Sequence, residues 1–148
     1  MSVRVSRLGS GERDTARALF ALLAEVFDEP HQPRADQALD ELLARQDFWA
    51  LAASDDTGRL LGGLTAHRLP MTHHTGSALF IYDIAVLPAA QRQGVGLALV
   101  STLRTWAAQQ AIADVFVFAD NEDAHALDFY RALGGRATAV TMFDFGAD

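Results

Sequence analysis

Two stretches of this chain have residue types and spacing that could do chemistry. The first runs Asp83-Ile-Ala-Val-Leu-Pro-Ala-Ala-Gln91-Arg92-Gln93-Gly94-Val95-Gly96. An apolar, strand-like run stops at Pro88, and a glycine-bearing turn then opens a segment with apolar residues at helical spacing. The first N–H groups of a helix have no partner inside it, and the helix dipole adds positive potential there. Such a place suits an anion such as pyrophosphate. Gly94 and Gly96 let the backbone approach that anion with no Cβ in the way, and Arg92 adds charge. Two glycines one residue apart are a weak signal alone, because helix starts carry them for packing as well. A P-loop is excluded, since no Gly-Lys-Ser or Gly-Lys-Thr is present, and the full GxGxxG of a Rossmann site is missing.

The second stretch is acidic: Asp120, Glu122 and Asp123 lead into a helix that carries Tyr130. Carboxylates at a helix start bind cations well, yet capping by Asp120 or Asn121 with a charged first turn accounts for them equally. Tyr130 has a matching ambiguity, as a phenolic acid or as a core aromatic on an amphipathic helix. The formal net charge is -7. That balance disfavours nucleic acid, whose phosphates need Lys and Arg, and favours a cationic ligand or simple solubility.

The absence of cysteine removes disulfides, thiolate metal sites and a catalytic thiol together. His67, His73 and His74 fall near one another without an HxxxH helix or a thiolate partner, so no metal is expected. No run approaches the roughly 20 apolar residues of a membrane helix. The N-terminus has no apolar signal core, which makes a cytoplasmic protein the expectation, with no membrane partner.

These residues need elements to position them. Val3 to Leu8 alternates as a strand. A helix opening at Ser10 or Gly11 carries Leu19, Leu22, Leu23, Val26 and Phe27, and Pro30 and Pro33 end it in a loop over residues 28–34. A short helix carries Leu39, Leu42 and Leu43. Phe48 to Ala53 reads as a buried strand and Arg59 to Leu69 as its hairpin partner. Leu79 to Leu87 is a third long strand. Val95, Leu99, Leu103 and Trp106 mark a helix of about four turns. Val115 to Phe118 is a strand, the acidic cluster 120–123 leads into a helix that carries Leu127, Tyr130 and Leu133 and is capped by Gly134 and Gly135, and Arg136 to Phe145 is a last strand. Hairpin strands followed by strands joined through helices predict one α/β (α+β) domain over 1–148, with a central mixed, twisted sheet flanked by about four helices.

With these elements in place, a family resemblance appears. Gln91-Arg92-Gln93-Gly94-Val95-Gly96 resembles the (Gln/Arg)-x-x-Gly-x-(Gly/Ala) signature of the GNAT N-acetyltransferases. Ile84-Ala85-Val86-Leu87-Pro88 looks like the strand that meets acetyl-CoA in that family. Ala126-Leu-Asp-Phe-Tyr130-Arg-Ala-Leu-Gly134 resembles its tyrosine helix. Ile81 to Val86, Ala119 to Asp123 and Met142-Phe-Asp-Phe145 are further similar to type I aminoglycoside 3-N-acetyltransferases. Asp123 stands where most members have Asn, and the tail after Gly135 has room for one strand where many have two.

The resemblance implies a GNAT fold, acetyl-CoA as cosubstrate and no metal. It implies direct transfer to an amine, which suits a chain without a thiol nucleophile. A backbone N–H near Val86, freed by a bulge, would polarise the thioester, and Ile84, Ala85 and Val86 would line the pantetheine arm. Gln91 through Gly96 would hold the pyrophosphate. Tyr130 would protonate the departing thiolate. Asp83 or Asp144 would take the proton from the acceptor. Asp83, Asp120, Glu122, Asp123 and Asp144 would together face a small cationic amine, an aminoglycoside acetylated at its 3-amino group. For Asp28 and Glu29, surface solubility is the preferred account. The resemblance leaves a homodimer open. Two other readings stand beside this one: a GNAT enzyme for another small amine, polyamine or peptide N-terminus, and a non-catalytic acyl-CoA-binding module.

Overall fold

Phe48 to Ala53 is buried at every position, and the alternation of its side chains sets the layers. In the computed structural model, which describes residues 2–146, this segment belongs to β2 (Phe48–Ser54). Trp49, Leu51 and Ala53 pack with Leu99, Leu103 and Ala107 of α3 (Val95–Gln109). Phe48, Ala50 and Ala52 pack with Leu19, Leu22 and Leu23 of α1 (Arg13–Val26) and Leu39 and Leu43 of α2 (Asp36–Ala44). A strand apolar on both sides therefore demands helices on both faces, and it has them.

The sheet order is β1-β2-β3-β4-β5, with β1 at Arg4–Arg7, β3 at Leu60–Pro70, β4 at Ser77–Val86 and β5 at Asp114–Val117. The first four strands pair antiparallel, and β5 joins β4 parallel after the crossover through α3. This is the expected mixed sheet. The β2–β3 hairpin turns on Asp55, whose carboxylate accepts from the N–H groups of Thr57 and Arg59 and from the Thr57 hydroxyl. Gly62 on β3 is a packing necessity, because a Cβ there would lie 2.5 Å from the Ala85 carbonyl of β4.

One irregularity matters more than any regular pairing. Thr65 pairs with Asp83, but Ala66 pairs with Ile81, so Tyr82 is an extra residue on β4. Such a bulge reverses the alternation of faces beyond it. Leu79 and Ile81 face the α3 core, as do Ile84 and Val86; Ala85, and with it Asp83, turns to the α1 side.

α1 and α2 are tied together outside the core. Arg13 donates to both oxygens of Asp40 at 2.8 and 2.6 Å, and Arg17 donates to Asp36 at 2.6 Å and to the Arg34 carbonyl at 2.9 Å. These pairs are largely exposed, so they contribute orientation more than stability. The orientation matters, because they anchor the end of the loop between the two helices.

Chain contacts form one compact unit up to Phe118 and a second from Ala119. The second unit centres on α4 (Ala124–Ala132). Asp123 caps α4, its carboxylate accepting from the Ala126 N–H at 3.0 Å. At the other end Gly134 takes φ +90° and the Gly135 N–H donates to the Tyr130 carbonyl, which closes the helix as its glycines predict.

The structure corrects the sequence reading at several points. α1 begins at Arg13, past Ser10 and Gly11, and its cap Glu12 makes no side-chain capping bond. β4 begins at Ser77 and β3 runs on to Pro70, since the cross-strand ladder continues past the apolar run. The cap of α4 is Asp123 and neither Asp120 nor Asn121. The largest correction concerns residues 136–145, which form no strand. Extended backbone becomes a strand only when a neighbour completes its ladder, and no ladder among the described residues includes this segment.

Candidate active site

The turn after β4 has the local structure that an anion needs. Pro88–Ala90 forms a single 3-10 turn, and the chain then doubles back through Gln91, Arg92 and Gln93. Arg92 takes φ +64°, uncommon for a residue with a side chain, and Gly94 takes φ +82°. A Cβ at Gly94 would meet nothing within 4 Å, so glycine is needed there for its backbone angle, not for space. α3 starts immediately afterwards with no acidic residue in its first turn and no side chain capping it. Its first N–H groups are thus without side-chain competition for an incoming anion. The Gln91 side chain bends inward and donates to the Val86 carbonyl at 3.2 Å, and Gln93 donates to the Ala89 carbonyl at 3.3 Å. These two residues brace the turn.

The orientation of Val86 follows from strand pairing. The Leu87 N–H donates to the Leu61 carbonyl at 2.8 Å, and Val86 pairs with Gly62 one step along. Antiparallel pairs alternate between bonded and non-bonded, so the Val86 N–H and C=O point away from β3. On that far side, the β4–β5 ladder ends at Ile81–Val117. The backbone of residues 82–86 therefore faces a gap in the sheet. From the resemblance, a bulge in this strand is expected to free a donor near Val86; β4 has its bulge at Tyr82, and its pairing with β5 ends one residue earlier, at Ile81.

Asp83 lines a cavity of about 160 Å³ with Phe20, Leu23, Ala24, Phe27, Glu29 and Thr65. Its carboxyl is held above the ordinary carboxylate range, first by burial and then by the charge of Glu29. Glu29, for which the sequence favours a surface role, lines this pocket with Asp83. The end of α1 puts it in place: the Glu29 N–H donates to the Ala24 carbonyl and the Asp28 N–H to the Glu25 carbonyl, with Asp28 at φ +53°. That is a Schellman closure with Asp where Gly is usual. The one legible signal for it was a helix ending in Phe-Asp-Glu ahead of Pro30.

The remaining candidates lie in the second unit. Asp120 turns inward on its own segment, accepting from the Glu122 N–H at 2.9 Å, and Asp123 is engaged as the cap of α4. Glu122 and Asp144 are exposed. Tyr130 is half-buried, and burial, followed by the charge of Asp123, holds its phenol above the usual tyrosine value. The structure thus gathers Asp83 with Glu29, and Asp120 with Asp123. Asp144 sits on the unpaired tail, not on the last strand where the sequence reading placed it.

Of the histidines, His67 is packed between aromatic rings, while His31, His73, His74 and His125 are exposed. His67 lies between Phe48 and Tyr82 at ring separations of 5.4 and 5.8 Å, and His74 accepts from the Gly76 N–H. Among the described residues, no group of three or more His, Asp or Glu is placed to hold a metal. No helix there is long and apolar enough to cross a membrane.

Residues 16–134 match the family described as "Acetyltransferase (GNAT) family". The chain belongs to the GNAT acetyltransferases. Its closing turn, the strand before it and the tyrosine helix are the parts by which the sequence resembled that family. Among solved structures, this GNAT chain is similar to an aminoglycoside acetyltransferase from an uncultured soil metagenomic sample in complex with sisomicin, with a TM-score of 0.93 and 27% identity, covering 99% of this chain and 97% of that one. A second aminoglycoside acetyltransferase from an uncultured soil metagenomic sample is 32% identical with a TM-score of 0.92, each chain being covered in full at 100%. A curated relative, the mycothiol acetyltransferase of Renibacterium salmoninarum, is 28% identical over 141 residues, covering 90% of this chain. The chain spans only 41% of that relative's length. Structural neighbours under 25% identical include aminoglycoside 6'-N-acetyltransferases, a likeness that shows the fold alone.

Proposed function

We propose that this GNAT chain transfers acetyl from acetyl-CoA to an amine of an aminoglycoside. The observation that carries the reading is Asp83: a carboxyl with raised affinity for its proton, in a small pocket with a second carboxylate, on the strand that leads into an anion-binding helix start. The complex of a similar enzyme with sisomicin supports the acceptor class. Acetyl-CoA, when bound, supplies an acetyl thioester. Gln91, Arg92, Gln93, Gly94, Val95 and Gly96 would hold its pyrophosphate, and Ile84, Ala85 and Val86 its pantetheine arm.

The chain's own residues then divide the work. The Val86 N–H stabilises negative charge developing on the carbonyl oxygen. Asp83 accepts a proton from the acceptor ammonium, for which a raised pKa brings a carboxylate closer to the operating pH. Tyr130 gives a proton to the departing thiolate. Asp120, Glu122, Asp123 and Asp144 add negative charge that attracts a polycation, with Asp123 partly committed to its helix. Release of free CoA thiol from acetyl-CoA in the presence of gentamicin tests the reading, and NMR of the product decides between the 3-amino and 6' nitrogens. Acetyl-CoA binding with no thiol release across a panel of aminoglycosides would leave a non-catalytic binding module. The curated relative favours one competing reading, an acetyltransferase for another small amine. Turnover of such amines with aminoglycosides untouched would establish that instead.

Glu29 offers a prediction with a definite sign. Its negative charge raises the Asp83 pKa, so Glu29→Gln lowers it. A base must be ionised to act, and activity falls as pH drops through its pKa. The acidic limb of the kcat/KM profile therefore moves to lower pH in Glu29→Gln. A limb that stays in place or moves upward refutes the coupling.

A further inference from the structure

Thr65, in the middle of β3, is 7% exposed, and no other polar or charged residue among those described is buried. A buried hydroxyl costs stability unless something bonds to it. Its neighbours Leu64 and Ala66 belong to the α3 core, so the alternation of the strand turns Thr65 to the α1 face. There it lines the cavity that holds Asp83 and Glu29. No side-chain hydrogen bond among the described residues engages Thr65. The one sealed side-chain polar atom without a partner among them is the Trp49 Nε1. A hydroxyl that is neither bonded nor sealed is reached from the cavity it lines.

Strand pairing sets its place beside the carboxylate. Thr65 and Asp83 are direct partners across β3 and β4, immediately before the bulge at Tyr82. Residues paired in this way share a face, with Cβ atoms roughly 4.5–5.5 Å apart. The two side chains are therefore close enough to hold adjacent substituents of one molecule. Their chemistry differs. Ionised Asp83 and Glu29 can only accept hydrogen bonds, whereas a threonine hydroxyl can donate one. A molecule that brings ammonium groups alone satisfies the carboxylates and leaves Thr65 without an acceptor. The cavity, at about 160 Å³, is smaller than the roughly 300–1,000 Å³ that takes a whole drug-sized ligand, so it admits only the reacting end of a larger acceptor.

The geometry points to Thr65 as an acceptor-binding residue that selects amino sugars over simple polyamines: its hydroxyl donates to an oxygen on the carbon beside the one bearing the amine, while Asp83 engages that amine. This rests on the acetyltransferase reading given above and deepens it. A polyamine offers Asp83 and Glu29 the same ammonium groups and gives Thr65 nothing.

Steady-state kinetics of the full chain with gentamicin test the assignment, with spermidine measured beside it as a competitive inhibitor or second acceptor. Thr65→Val keeps the branched shape and removes the hydroxyl. The KM for gentamicin should rise about 10-fold, the worth of one hydrogen bond, and Thr65→Ser should restore it. The spermidine constant and the KM for acetyl-CoA should not move. Should Thr65→Val fail to fold, Thr65→Ala reads the same loss. An unchanged gentamicin KM, in a chain that turns the drug over, overturns this assignment alone. Equal losses for gentamicin and spermidine also overturn it, since they would show a packing effect. So does a Thr65→Ser variant as poor as Thr65→Val, because the hydroxyl would then not be what counts. A wild-type chain that releases no CoA thiol with any aminoglycoside overturns the parent reading and this assignment with it.

Discussion

Replacing Tyr130 with Phe lowers turnover about 10²-fold and leaves acetyl-CoA affinity unchanged, as calorimetry and steady-state kinetics would show. The hydroxyl is the only part removed, and the ring that packs against Phe129 at 5.1 Å is kept. The size of the effect follows from the environment. Burial and Asp123 both raise the phenol's pKa, so Tyr130 stays protonated throughout the neutral range and beyond its ordinary value near 10. Full protonation favours a proton donor. The same shift makes it a weaker acid toward a thiolate, whose conjugate thiol has a pKa of about 8.5, so the expected loss sits at the low end of the general-acid range. Full turnover in Tyr130→Phe would remove the residue from the chemistry. A loss of acetyl-CoA affinity equal to the loss of turnover would make it a binding residue.

Asp83→Asn should be at least as damaging, lowering kcat/KM for a cationic acceptor about 10²–10³-fold while acetyl-CoA still binds. Two effects add. The variant cannot take a proton from the ammonium, and it removes one of the two carboxylates in a pocket otherwise walled by Phe20, Leu23, Ala24, Phe27 and Thr65. The sign with pH is fixed by the raised pKa. In the wild type, activity is present above the Asp83 pKa and is lost as pH falls through it. The amide of the variant has nothing to titrate, so the acidic limb should flatten. An unchanged acidic limb in the variant would assign that titration, and the base, to another group. The isosteric amide preserves the bulged strand, so thermal unfolding should stay close to wild type and separate chemistry from folding.

How much of this could be read beforehand depends on whether the cause is local. The helix start at Gly94-Val95, the two-faced β2 and the glycine stop of α4 are set by neighbours along the chain, and the sequence reading placed all three. Residues 136–145 had the pattern of a strand and no partner to make them one. Pattern states what a segment can do, and pairing depends on elements far away in the chain. The position of Glu29 in the pocket comes from a left-handed Asp28, a backbone angle that no periodicity reports.

The amino-acid sequence by itself determined the family, the layered α/β architecture and the turn between the third long strand and its helix, because those rest on short-range chemistry and alternation. Only the tertiary structure decided which way Asp83 faces. A single extra residue at Tyr82 shifts the β3–β4 register and moves that carboxylate onto the α1 side, beside Glu29. In a two-residue repeat, one insertion exchanges the faces of everything beyond it, and the partner strand that defines the insertion cannot be seen in the strand's own residues.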